Sequence, residues 1–105
     1  MDGTIRCDIG AFGATGPLAS KPGYDPLAQA STGIMSVTGD PSGPPMKAGP
    51  TLVDFMGGVH LYAGVITALY QRTATGEGQL VTCAMQDGVL NLCRVKLRDQ
   101  QRLAH

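Results

Sequence analysis

Asp54 is the residue of this sequence best placed to do chemistry. It stands in Thr51-Leu52-Val53-Asp54-Phe55-Met56-Gly57-Gly58-Val59-His60, a carboxylate among apolar neighbours at the start of a helical pattern. Such a charge is costly to bury unless it has a partner or a task. Burial raises the pKa of a carboxyl group, whereas unpaired backbone N–H groups and the helix dipole at a helix start hold it charged. An ionised carboxylate can attack an acyl group, and the resulting anhydride stays reactive toward thiolates and carboxylates if water is kept away. Gly57 and Gly58 follow within about a turn, although consecutive glycines cost a helix roughly 1 kcal/mol each relative to Ala. They make sense where another backbone or a bulky ligand comes close. The alternative is structural: Asp54 as an ordinary N-cap and the glycines as a notch for helix packing. Spacing leaves both readings open.

Tyr24 stands thirty positions before Asp54 in the turn-rich approach Lys21-Pro22-Gly23-Tyr24-Asp25. A phenol with an unperturbed pKa near ~10 is a poor base at neutral pH. Its ring suits packing or hydrogen bonding, beside a substrate or at a helix entry. His60 lies six residues after Asp54, roughly 240° around a helix, and so reads as structural. Asp87 reads as a cap at a strand-to-helix corner. Cys7, Cys83 and Cys93 share no metal-ligand or redox spacing and read as free thiols. No metal site is expected.

These residues need elements to hold them. Residues 5–12 alternate apolar and polar side chains and predict a strand. Three glycines and two prolines make 13–23 a loop. Asp25 is expected to cap a short helix that starts at Pro26, runs through Ala30 and ends near Gly33. A polar turn covers 38–45. Apolar residues recur at three- and four-residue steps over 52–71 with no charged side chain between Asp54 and Arg72. That pattern predicts a largely buried helix. A turn over 73–78, a strand over 79–85 and a polar-faced helix over 86–104 complete an α/β ordering.

With 105 residues and 43% hydrophobic composition the chain is long enough for one small domain. Two Phe, three Tyr and no Trp leave few large anchors for a self-contained core. Eight basic and eight acidic residues cancel, so neither nucleic acid nor an anionic membrane is indicated as a partner. Met1-Asp2-Gly3-Thr4 lacks the basic start and apolar stretch of a signal peptide. The longest apolar run reads as too short to span a bilayer, and a cytoplasmic setting is expected.

Two groups of residues carry a family resemblance. One is Gly16-Pro17, then Pro22-Gly23-Tyr24-Asp25, Ser36-Val37-Thr38-Gly39 and Lys47-Ala48-Gly49, leading to Asp54. The other is Gly76-Glu77-Gly78-Gln79 followed by the run from Ala84 to Leu103. The sequence resembles the family III CoA-transferases of CaiB/BaiF type, in particular their formyl-CoA transferase branch, over nearly its whole length. The resemblance implies part of the large doubly wound, Rossmann-like α/β domain, with residues 1–105 a partial family domain whose N- and C-terminal portions lie elsewhere. It implies Asp54 as the nucleophile of CoA transfer from an acyl-CoA such as formyl-CoA to a carboxylate such as oxalate. Coenzyme A is then a substrate and no cofactor is needed. It further implies that Lys21, Pro22, Gly23, Tyr24, Asp25, Gly57 and Gly58 lie along CoA or substrate. Lys21 is either a phosphate contact or a solvated loop lysine. The related acyl-CoA racemases carry His where Tyr24 stands, which favours transfer over racemisation. Members dimerise as interlocked rings, so a homodimer is implied for a full-length protein, while this chain by itself is expected to be inactive. The other reading is a non-catalytic remnant or subunit piece.

Overall fold

The computed structural model describes residues 2–104. Met1 and His105 lie outside the described residues. Strand β1 (Ile5–Gly10) is followed by helix α1 (Asp25–Thr32), a single 3-10 turn (Met35–Val37) and the long helix α2 (Leu52–Thr75). Strand β2 (Gln79–Ala84) leads directly into the short helix α3 (Met85–Leu90), and α4 (Arg94–Leu103) closes the order. The two strands pair in parallel, from Ile5 opposite Gln79 to Gly10 opposite Ala84. Parallel neighbours need a long crossover, and α1 and α2 supply it. The α/β expectation is met.

Glycines set how closely α2 approaches the sheet. A Cβ added to Gly57 would lie 2.9 Å from Met85 Cγ and 3.2 Å from Ile9 Cδ1, and one at Gly64 would lie 2.8 Å from Val81 Cγ1. Two turns apart on one face, they let the helix backbone settle onto both strands. Gly88 of α3 faces the same notch, its added Cβ meeting Gly57 Cα at 3.5 Å. At the entry to β2, any side chain on Gly78 would run into the Thr4 carbonyl. The Gly78 N–H instead donates to the Asp2 carbonyl at 2.9 Å, and Arg72 Nη1 donates to the Gly3 carbonyl at 2.9 Å. These contacts lock the two strand entries together.

The buried core is small and lies away from the strands, where α1, the start of α2 and α3 meet. It contains Ala28, Ile34, Val53, Val89 and Cys93, with Leu52 and Met85 packed against it.

Several expectations change. β1 stops at Gly10 because Ala11 turns inward, its carbonyl accepting the Gln86 N–H at 3.0 Å. α2 runs four residues beyond 71, where the Thr73 and Thr75 hydroxyls donate back to the Tyr70 and Gln71 carbonyls. Gly76 then ends it in the left-handed conformation at φ 74°. The helix expected over 86–104 is two helices, because Leu92 and Cys93 donate three residues back, to Val89 and Leu90. That tight turn seats Cys93 in the core and swings the polar α4 outward with no buried residue.

The largest correction concerns α2. Expected to be mostly buried, it buries only Val53, Gly57 and Ala68, while Phe55 is 73% exposed and Tyr70 81%. Two strands, α3 and, at its start, α1 cover one face of a 24-residue cylinder, and among the described residues nothing covers the other. Nor is the apolar run short. With 24 residues and a mean hydropathy of 1.5, α2 is long and apolar enough to cross a membrane by composition. Its glycine-lined face against β1, β2 and α3 makes it a sheet-packed helix here.

Candidate active site

Asp54 lies in the first turn of α2 with its side chain exposed. Thr51 flanks the helix start but its side chain makes no capping bond. The cap comes from another helix. Asp25 Oδ1 accepts the Val53 N–H at 2.7 Å and the Asp54 N–H at 3.4 Å, although Asp25 belongs to α1. Its second oxygen, Oδ2, accepts Gln29 Nε2 at 2.7 Å. Gln29 is completely buried; its Oε1 accepts the Ala48 N–H at 2.9 Å and its Nε2 also approaches the Pro50 carbonyl at 3.4 Å. Two buried side chains one turn apart on α1 thus hold both the approach to α2 and its first turn.

This arrangement changes three expectations. Asp25 was expected to cap α1 at its start; instead Tyr24 occupies that position in extended conformation and α1 has no side-chain cap. Asp25 is also only 2% exposed with both oxygens engaged, so it faces its own chain rather than an open surface where CoA would lie. The sequence further suggested that N–H groups of the helix start would bond to Asp54 itself. Asp25 takes the Val53 and Asp54 donors, and the Asp54 carboxylate makes no hydrogen bond or ion pair among the described residues. It stands in the first turn of α2, at the positive end of the helix dipole.

The remaining candidates separate into open and packed groups. Tyr24 is 67% exposed, and Lys21 and Pro22 are exposed beside it. Gly23 is packed: its added Cβ would lie 2.5 Å from Ala11 Cβ and 3.1 Å from the Phe12 ring. Gly57 is buried against Met85 and Ile9, so its glycine serves chain packing. Gly58 is exposed, meets nothing within 4 Å, and lies one turn beyond Asp54 on the same side of α2. Of the glycine pair, only Gly58 leaves space next to Asp54. The structure therefore collects Asp54 and Gly58 on one surface, with Tyr24 joined to it through Asp25.

His60 is structural, as expected: Nδ1–H donates to the Met56 carbonyl at 2.7 Å within α2. Asp87, expected as a cap, lies in the first turn of α3 without a capping bond. Burial, with the Asp87 carboxylate as a second cause, pushes the Cys83 thiol above its ordinary pKa. Gln29 escaped the sequence reading. Its signal was the pairing of Asp25 with Gln29 four residues on, in a helix otherwise made of small and apolar residues.

The fold and the site define a class: a parallel α/β segment that presents one open carboxylate at a helix start seated by a buried acid–amide pair. The model of CoA-transferase family III matches residues 3–104, and the chain belongs to that family. It is 55% identical over 101 residues to the formyl-CoA:oxalate CoA-transferase of Rhodopseudomonas palustris (strain BisA53), covering 96% of this chain and 24% of that protein. The enzyme of the same name from Streptomyces coelicolor is 52% identical over the same span. Among solved structures, a CaiB/BaiF family protein from Brucella suis superposes with a TM-score of 0.91 at 33% identity, over 96% of this chain and 27% of that one. A hypothetical protein from Mycobacterium tuberculosis gives 0.82 at 31%, over 92% of this chain and 27% of that one. The chain spans about a quarter of the length of the curated relatives it matches.

Proposed function

We propose that Asp54 is the nucleophile of CoA transfer from an acyl-CoA such as formyl-CoA to a carboxylate such as oxalate, in a full-length family III protein carrying this segment. The observation that carries this reading is the open Asp54 carboxylate at the α2 start, with the Val53 and Asp54 N–H groups engaged elsewhere. The relatives' name supplies the substrates.

An Asp54 oxygen attacks the thioester carbonyl, the C–S bond breaks, and CoA leaves as a thiolate. The thiolate attacks the Asp54 carbonyl of the mixed anhydride, freeing the donor acid and forming an aspartyl–CoA thioester. The acceptor carboxylate opens that thioester, and the released thiolate takes the new acyl group, restoring the Asp54 carboxylate. Every step exchanges one acyl bond for another, so no redox partner is required. In this reading exposed Tyr24 and Gly58 border the path of the substrate, and Lys21 is the phosphate contact for CoA. The uncovered apolar side of α2 supports burial against further chain in a homodimer.

The test is incubation of the full-length protein with formyl-CoA, oxalyl-CoA or succinyl-CoA, trapping with hydroxylamine or borohydride, and peptide mass mapping. An adduct on Asp54, with turnover lost and CoA binding kept in Asp54→Asn, is the expected outcome. Turnover retained in that variant refutes the assignment.

A further inference from the structure

We infer that Asp25 and Gln29 are positioning residues for the Asp54 carboxylate, acting through the backbone of the α2 start; the inference rests on the reading of Asp54 as nucleophile. Among the described residues Asp25 and Gln29 are the two buried polar ones, and each polar atom of the pair is used. The direction of each bond is dictated. Asp25 Oδ1 must accept, because Val53 and Asp54 present N–H groups. Gln29 Oε1 must accept, because Ala48 presents an N–H, and this turns Nε2 toward Asp25 Oδ2 and the Pro50 carbonyl. The pair therefore reads as one acceptor–donor–acceptor chain from α2, across α1, to the segment entering α2. Nothing in it touches the reacting atoms. It fixes where the first turn of α2 sits, and so where Asp54 points. A capping bond from Thr51 itself would satisfy the same N–H groups but would not tie them to α1.

Reversing the polarity of the pair tests this. Asp25→Asn sets an NH₂ group against the Gln29 NH₂, and a flipped Gln29 would lose Ala48. Gln29→Glu sets a buried carboxylate against the Asp25 carboxylate. Together, Asp25→Asn and Gln29→Glu restore donor to acceptor between the two side chains, while an oxygen replaces Nε2 at 3.4 Å from the Pro50 carbonyl.

The three variants are made in the full-length protein, and transfer from formyl-CoA to oxalate is followed with circular dichroism as the folding control. Each single change is expected to lower kcat on the order of 100-fold, the scale on which a misplaced reacting group loses rate. KM for formyl-CoA should stay within about twofold, since substrate binding is untouched. The swapped pair should regain most of the lost kcat. The inference is overturned if folded single variants turn over at the parental rate, if KM rather than kcat moves, or if the double variant loses the product of both effects. Should a single variant be unfolded, the swapped pair decides: folded and active supports the inference, anything else overturns it. Asp54→Asn run alongside separates the two readings. An Asp54 adduct that vanishes there while the polarity variants stay active sinks only the positioning role, whereas transfer persisting in Asp54→Asn sinks the nucleophile itself.

Discussion

Adding one methyl group at each of two adjacent glycines of α2 should have opposite effects. Gly57→Ala and Gly58→Ala make the same chemical change in the same helix. Each gains about 1 kcal/mol of helix propensity over Gly. At position 58 the new methyl meets nothing within 4 Å, so the gain is kept. At position 57 it would lie 2.9 Å from Met85 Cγ, 3.2 Å from Ile9 Cδ1 and 3.5 Å from Met85 Cα. The Met85 side chain can yield, but it is packed on the core, and its backbone and Ile9 stand behind it. Overpacking of this kind costs about 1–3 kcal/mol. Propensity cancels in the comparison, so Gly57→Ala should be less stable than Gly58→Ala by that same 1–3 kcal/mol. Urea unfolding of the full-length protein, followed by circular dichroism with both slopes equal, reads the difference as a shift in midpoint. The functional effects should be reversed. The methyl at position 58 projects beside Asp54 and should raise KM for acyl-CoA, whereas the methyl at 57 lies on the sheet side and should not. Equal midpoints, or a less stable Gly58→Ala, would refute the notch reading of Gly57.

Other consequences are as direct. Gly78→Ala drives a methyl into the Thr4 carbonyl and should abolish soluble expression or lower the unfolding midpoint far more than Gly58→Ala. Exposed Cys7 should be alkylated by iodoacetamide before partly buried Cys83, as peptide mass mapping over time will show. Because burial and the Asp87 carboxylate raise the Cys83 pKa, less thiolate is present at a given pH and its alkylation should accelerate only in more alkaline solution. Asp87→Asn removes one of the two causes and should speed Cys83 alkylation at pH 8; an unchanged rate would dismiss the carboxylate as a cause. Gly76→Ala places a side chain at φ 74° and should cost about 1 kcal/mol, measured as a fall in thermal midpoint.

Local pattern made much of this molecule legible. Alternating side chains marked the first strand, three- and four-residue recurrence marked α2, and Gly33 ended α1 in the left-handed conformation. Asp54 at a helix start could be read the same way, since a helix start and a carboxylate within it are both properties of neighbouring residues. Burial of α2 was misread because an apolar stripe says that a face seeks cover, not which elements supply it. The two glycines after Asp54 looked alike in the sequence; only the seating of α2 on Ile9 and Met85 made Gly57 a packing residue and left Gly58 open. Asp25 shows the divide most clearly. Its place before Pro26 argued for capping its own helix, yet its carboxylate crosses to N–H groups 28 and 29 residues away. The sequence alone determined which groups need partners: an acid, an amide and the bare N–H groups of a helix start. Which of them meet was decided by the packing of α1 against α2, because hydrogen bonds act over about 3 Å and only the folded chain brings such distant residues within reach.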